Sequence, residues 1–172
     1  MSKISIKSGR RIRVDCEIRI DNRELSRYFK LDTGAQNTCI SAQDLGIRLT
    51  EEEFIEAYKP SFRFEGTGID DTSTVIFYQI MVEDISVEGE HLGAVPIYIS
   101  FDKNYSKRLL GLDLLNLLNY TVNNDERTIE LTRTQRLIDY NEKNKPITTE
   151  EMIIMGLYDP KYDLDYLEPV KS

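Results

Sequence analysis

Hydrophobic and polar positions alternate strictly along Arg11 to Ile20, RIRVDCEIRI: Ile12, Val14, Cys16, Ile18 and Ile20 fall on one face, and Arg11, Arg13, Asp15, Glu17 and Arg19 on the other. A period of two is the mark of a half-buried strand. Asp21-Asn22 is a turn pair, and Leu25 to Leu31 returns as a second strand, so a hairpin delivers the chain to Asp32. Past Ile40 a short helical turn, Ala42 to Leu45, is stopped by Gly46. Thr50 with Glu53 forms a capping box for a helix carrying Phe54, Ile55 and Tyr58 and ending near Pro60. Phe62 to Glu65 is extended, residues 66–73 (GTGIDDTS) are rich in turn formers, and Thr74 to Val82 is a β-branched and aromatic run, which together predict a hairpin. Residues 92–100 (LGAVPIYIS) read as another strand. A short buried helix is predicted after Gly111 within LLGLDLLNLL, and residues 120–131 (YTVNNDERTIEL) read as strand, polar turn, strand. Many short strands with few short helices predict a small, mostly β barrel or sandwich.

After Leu131 the pattern changes to helical. Thr134 to Asn144 and Thr148 to Leu157 read as helices separated by Pro146, with a second capping box at Thr148/Glu151. The reading is therefore a β domain over residues 1–132 and a helical extension with an acidic, tyrosine-rich tail over 133–172. Met152, Ile153, Met155 and Leu157 form an apolar cluster in that extension. It packs on the outside of the barrel or widens a dimer contact, and a third reading lays the tail (158–172) across a substrate cleft.

Composition narrows the function. The 172 residues are 40% hydrophobic and 30% charged, which suits one folded domain. The net charge of −8 disfavours general binding to nucleic acid, which needs cations facing phosphate. Lys3, Lys7, Arg10, Arg11 and Arg13 near the start read as a solvated strand face. No apolar run approaches the roughly 20 residues of a membrane span, and Met1 to Arg13 lacks a signal-peptide core, so the expectation is a cytoplasmic protein. Cys16 and Cys39 lack zinc-site spacing and occupy apolar strand positions, so they read as buried hydrophobes. His91 is the only histidine and sits in a turn-like EGEH stretch, which argues against a Ser-His or Cys-His nucleophile. No metal and no organic cofactor is expected.

The chemistry concentrates in residues 29–40, FKLDTGAQNTCI, where Asp32 ends an apolar strand and Thr33, Gly34 and Ala35 follow. Asp-Thr-Gly alone is a common turn. Here Leu109-Leu110-Gly111-Leu112-Asp113 follows some 70 residues later, then the strand–turn–strand of residues 120–131. In this combination and order, residues 11–132 resemble the retropepsin family of single-domain aspartic proteases. The resemblance implies a closed acid-protease barrel with Asp32 as the catalytic carboxylate and Thr33, Gly34 and Ala35 supporting its loop. Gly66, Thr67, Gly68 and Ile69 would belong to a flap over the substrate. Gly111 and Asp113 would form a structural second motif, Asp113 bonding backbone near the active loop.

The chemistry implied uses two neighbouring carboxylates that share a proton, because two like charges a few ångströms apart do not both ionise cheaply. The ionised member accepts a proton from the attacking water, and the protonated one donates a hydrogen bond to the scissile carbonyl. Gly34 suits a tight turn and lets backbone N–H groups approach the carboxylate, and the Thr33 hydroxyl would bond the loop of a partner. The chain carries no second Asp-Ser/Thr-Gly; Asp71-Thr72-Ser73 lacks the glycine. The expected partner is therefore a second copy, giving a homodimer with one Asp32 from each chain on a twofold axis and a polypeptide substrate. The alternative is a catalytically inactive dimer of the same fold that binds peptides or proteins. Two departures from the family stand out: Asp70 and Asp71 at the presumed flap tip, and Leu112 where retroviral members often carry arginine.

Overall fold

The computed structural model describes residues 2–5, 12–67, 73–143, 146–154 and 168–169. In chain order its elements are β1 (Ser2–Ser5), β2 (Arg13–Ile20), β3 (Arg23–Leu31), β4 (Cys39–Ser41), α1 (Glu51–Tyr58), β5 (Phe62–Thr67), β6 (Thr74–Met81), β7 (Asp84–Val87), β8 (Glu90–Gly93), β9 (Pro96–Ser100), β10 (Leu109–Leu110), α2 (Leu112–Leu115), β11 (Leu118–Asn123), β12 (Thr128–Arg133), α3 (Gln135–Glu142), α4 (Thr149–Ile154) and β13 (Glu168–Pro169). The mostly β architecture expected from the sequence is what forms. A ten-stranded sheet in the order β13-β5-β6-β9-β4-β10-β3-β2-β7-β8 curls into a half-barrel, and a three-stranded sheet, β1-β12-β11, stands beside it.

Strand β2 buries alternate residues along its whole length, Val14, Cys16, Ile18 and Ile20 facing the core. It pairs with β3 from Arg13↔Lys30 to Ile20↔Arg23, which leaves Asp21-Asn22 as a two-residue loop. Both loop residues have positive φ, 53° and 60°, as a turn matching the right-handed twist of a hairpin requires. Helix α1 carries the predicted capping box, with Glu53 N–H donating to Thr50 Oγ1 and Thr50 N–H to Glu53 Oε1. Its one fully buried residue, Phe54, stacks on Tyr58 and meets Phe101.

Residues 42–46 form the expected single turn, Leu45 N–H donating four residues back to Ser41 C=O, and Gly46 at φ +75° keeps it from propagating. Two local readings need correction. The expected strand over 92–100 is two strands, because Gly93 takes φ +87° and turns the chain out of β8 before β9 begins at Pro96. His91 therefore lies within β8, and the turn before it is Glu88-Gly89, both at positive φ.

Most buried side chains form a single cluster running from β2 and β3 through β9 to Leu110, Leu114 and Leu115. Leu137, Ile147 and Met152 of the C-terminal region belong to it and are fully buried. A smaller aromatic cluster of Phe64, Val75, Phe77, Tyr98 and Tyr105 lies under the β5–β6 hairpin, with Cys39 at its edge. No helix among the described residues is long and apolar enough to cross a membrane.

Candidate active site

Asp32 is held where three strands converge. Strand β10 runs parallel to the end of β3 (Leu109↔Lys30, Leu110↔Leu31) and antiparallel to the start of β4 (Leu109↔Cys39). The chain leaving β3 thus loops around β10 and returns as β4. Asp32 N–H extends the parallel ladder by donating to Leu110 C=O at 3.0 Å. Its backbone is fixed by the sheet while its side chain stays about a quarter exposed.

The loop from Asp32 to Thr38 closes through short bonds. Ala35 N–H donates to Asp32 C=O (3.2 Å), and Gly34 N–H donates to Asp32 Oδ1 (2.9 Å). Gly34 is not at positive φ. Its lack of a side chain matters through proximity, since a Cβ there would sit 3.2 Å from Asp32 Oδ1. Thr33 and Gly34 are exposed and Ala35 is half-buried. Lys30, two residues before Asp32 on β3, places Nζ 3.4 Å from Asp32 Oδ2.

The second motif braces this loop from inside. Leu112 N–H donates to Ala35 C=O and Asp113 N–H to Gln36 C=O. Asp113 is buried and accepts from Thr38 N–H (2.9 Å), Thr38 Oγ1–H (2.6 Å) and Leu114 N–H (2.8 Å). Thr38 Oγ1 in turn accepts from Gly111 N–H at 3.1 Å. Gly111 packs against the loop's main chain: a Cβ there would lie 2.6 Å from the carbonyl carbon and oxygen of Asn37 and 2.9 Å from Ala35 O. Backbone on both sides leaves nothing to rotate away. We expect Gly111→Ala to cost about 2–3 kcal/mol by forcing those segments apart. Urea unfolding at fixed protein concentration measures it; a change below about 0.5 kcal/mol would show that the packing is loose.

Gly66 and Thr67 end β5, in register with Val75 and Thr74 of β6. Gly66 lies against Phe64 and Phe77, rings that stack at 4.8 Å and tie the hairpin to the aromatic cluster. Gly68 and Ile69, like Asp70 and Asp71, fall outside the described residues. Strand β13 lies on the outer edge of β5, Glu168↔Arg63 and Pro169↔Phe62; the rest of the tail, and with it the reading that it crosses a cleft, lies outside the described residues. A cleft of about 450 Å³ between Tyr58–Phe62, Gln79–Met81 and Thr148–Glu150 includes no residue of the Asp32 loop.

Other nucleophile schemes find no support in this geometry. Cys39 is buried; burial first, and the charge of Asp113 second, push its thiol up, so it stays protonated and its Sγ–H donates to Asn37 C=O. His91 lies on β8 at one end of the large sheet, with β7, β2, β3 and β10 between it and β4. Among the described residues no group of three or more His, Cys, Asp and Glu side chains is placed to hold a metal ion.

Sequence reasoning did not single out Thr38 or Lys30. A period-two signal could have found Lys30, because residues 30 and 32 share a side of an extended chain. Thr38 has no local signal, since its partners are 73 and 75 residues away.

No protein-family model matches the chain, and no curated protein matches it. Among solved structures, it is similar to the crystal structure of a retropepsin-like aspartic protease from Rickettsia conorii. The TM-score is 0.50 at 16% sequence identity, over 76% of this chain and 96% of that one. The fold is therefore retropepsin-like.

Proposed function

We propose that this chain is one half of a homodimeric aspartic endopeptidase, in which Asp32 from each copy forms the catalytic pair. The observation that carries this reading is the placement of Asp32. Its main chain is locked by β10, one carboxylate oxygen is aimed by Gly34 N–H, and the loop around it is braced by buried Gly111, Asp113 and Thr38, yet the side chain opens to solvent. A turn needing only a cap would not need such bracing. Asp113 is turned inward to Thr38 and Leu114 and is not free to serve as the second carboxylate. The second therefore comes from another copy. In the pair, one carboxylate takes a proton from water as it attacks the peptide carbonyl, and the protonated partner donates to the carbonyl oxygen. In this reading the end of β5, Gly66 and Thr67, belongs to the hairpin that lies over the substrate.

A surface for pairing supports the reading. Strand β11 is an edge of the three-stranded sheet and exposes Tyr120 and Val122 on the face where their neighbours Leu131 and Ile129 are buried. Exposed edge strands with apolar side chains tend to be covered by another chain.

A second reading, a non-catalytic dimer that binds peptides, draws on the Lys30–Asp32 ion pair, since a carboxylate already paired can serve the loop alone. Peptide-library cleavage between pH 4 and 7 separates the two. The protease reading expects turnover by the wild type, none by Asp32→Asn, and a dimer in sedimentation; equal turnover by both proteins, or a strict monomer, overturns it.

A further inference from the structure

Lys30 is a charged group beside Asp32 that the catalytic scheme does not use. Its ammonium is the cation paired with Asp32, 3.4 Å from Oδ2, and it remains about a third exposed, so it reaches solvent beside the carboxylate. Directly across the β2–β3 ladder from Lys30 is Arg13, which is exposed and on the same face of the sheet. Like charges directly opposite on paired strands are unfavourable. Arg13 has no ion pair among the described residues. Asp15, the next acid on that face of β2, stands opposite Tyr28, one step farther from Asp32. Arg108, whose carbonyl accepts from Lys30 N–H, is by contrast already satisfied by Tyr28 C=O and Asp44.

We propose that Lys30 is a specificity-determining residue of this site, selecting polypeptides with an aspartate or glutamate beside the scissile bond. The inference rests on the Asp32 pair proposed above. Two Asp32 carboxylates sharing one proton carry a single negative charge, and the two copies of Lys30 bring two positive charges. One cation per dimer is left uncompensated beside the pair, with Arg13 reinforcing it from the next strand. Charges of one sign close to a bound peptide discriminate among partners by attraction and repulsion. An acidic substrate side chain supplies the missing charge.

The test uses a library of randomised decapeptides, with cleavage sites read by mass spectrometry. The wild type is expected to enrich Asp and Glu at positions flanking the cut about fivefold or more over Asn and Gln. Lys30→Met, which keeps the aliphatic stem, is expected to abolish that enrichment, and Lys30→Glu to replace it with enrichment of Lys and Arg. The reversal is a gain that a misfolded protein does not produce. A parallel arm retains the same library on immobilised Asp32→Asn protein and sequences what binds, so the preference is read without turnover. No acidic enrichment in the wild type, the same enrichment in Lys30→Met, or no acidic bias among peptides bound to Asp32→Asn overturns the role of Lys30. Cleavage by Asp32→Asn at the wild-type rate overturns the catalytic pair instead.

Discussion

Mixed with the Asp32→Asn chain at constant total protein and allowed to exchange subunits, the proposed homodimer will lose activity as the square of the wild-type fraction, so equal amounts leave about a quarter. The reason is stoichiometric. Each chain supplies one Asp32, and a mixed dimer holds one carboxylate facing one amide. The amide neither accepts a proton from water nor holds a shared one, so the mixed dimer lacks half of the acid–base machinery. Loss of such a group costs about 10²–10⁴-fold, and the mixed dimer contributes nothing visible. The fold should tolerate the change. Asn keeps an oxygen for the Gly34 N–H now bonded to Asp32 Oδ1. The Lys30 ion pair that is lost is partly exposed and contributes at most about 1 kcal/mol. Activity is measured against the mole fraction of variant after co-refolding. A straight line, with about half the activity at equal amounts, would mean that each chain works alone and would remove the shared pair.

The parts of this site legible in the sequence were those governed by local rules. The alternation of Arg13 to Ile20 and the Asp21-Asn22 turn made the first hairpin readable, because period and turn chemistry act over a few residues. The same holds for Thr50 and Glu53 at the start of α1. The partner of β1 and the short strands β7 and β8 went unread, although the basic start was read as a strand face and Glu88-Gly89 as part of a turn. β1 pairs with β12, more than 120 residues away, and four-residue strands give periodicity too little length to register. The two halves of the site, Asp32 to Ala35 and Gly111 to Asp113, could be named from the sequence by resemblance. What joins them could not. Thr38 reads as an ordinary hydroxyl residue at the start of an apolar strand, and only the fold shows it accepting from Gly111 and donating to Asp113. Gly34 was legible in both of its parts: it lies in the turn that Ala35 N–H closes onto Asp32 C=O, and its missing Cβ lets its own N–H reach Asp32 Oδ1.

That join is the second place where a single substitution should have a large effect. Asp113→Ala removes a buried carboxyl group that accepts from Thr38 N–H, Thr38 Oγ1–H and Leu114 N–H. Each buried donor left without an acceptor costs about 1–3 kcal/mol. Partial relaxation brings the expected total to about 3–5 kcal/mol, visible as a fall of about 1–2 M in the urea midpoint. Asp113→Asn should cost less, because its oxygen can take the place of Oδ1 and keep Thr38 Oγ1–H and Leu114 N–H. Its NH₂ group then faces Thr38 N–H, donor against donor, so it should still fall clearly below wild type. Thr38→Val breaks the relay from the other side by stranding Gly111 N–H and should lie between wild type and Asp113→Ala. The order wild type, Asn, Ala at position 113 is what hydrogen-bond acceptance demands; a residue needed only for its volume would make Asn harmless. The same series reports on the Asp32 loop, because the main chain of Asp113 holds Gln36 and that of Leu112 holds Ala35. Turnover should therefore fall further than the loss of folded protein explains, and a fall no greater than the unfolded fraction would show that Asp113 holds the fold but does not position Asp32.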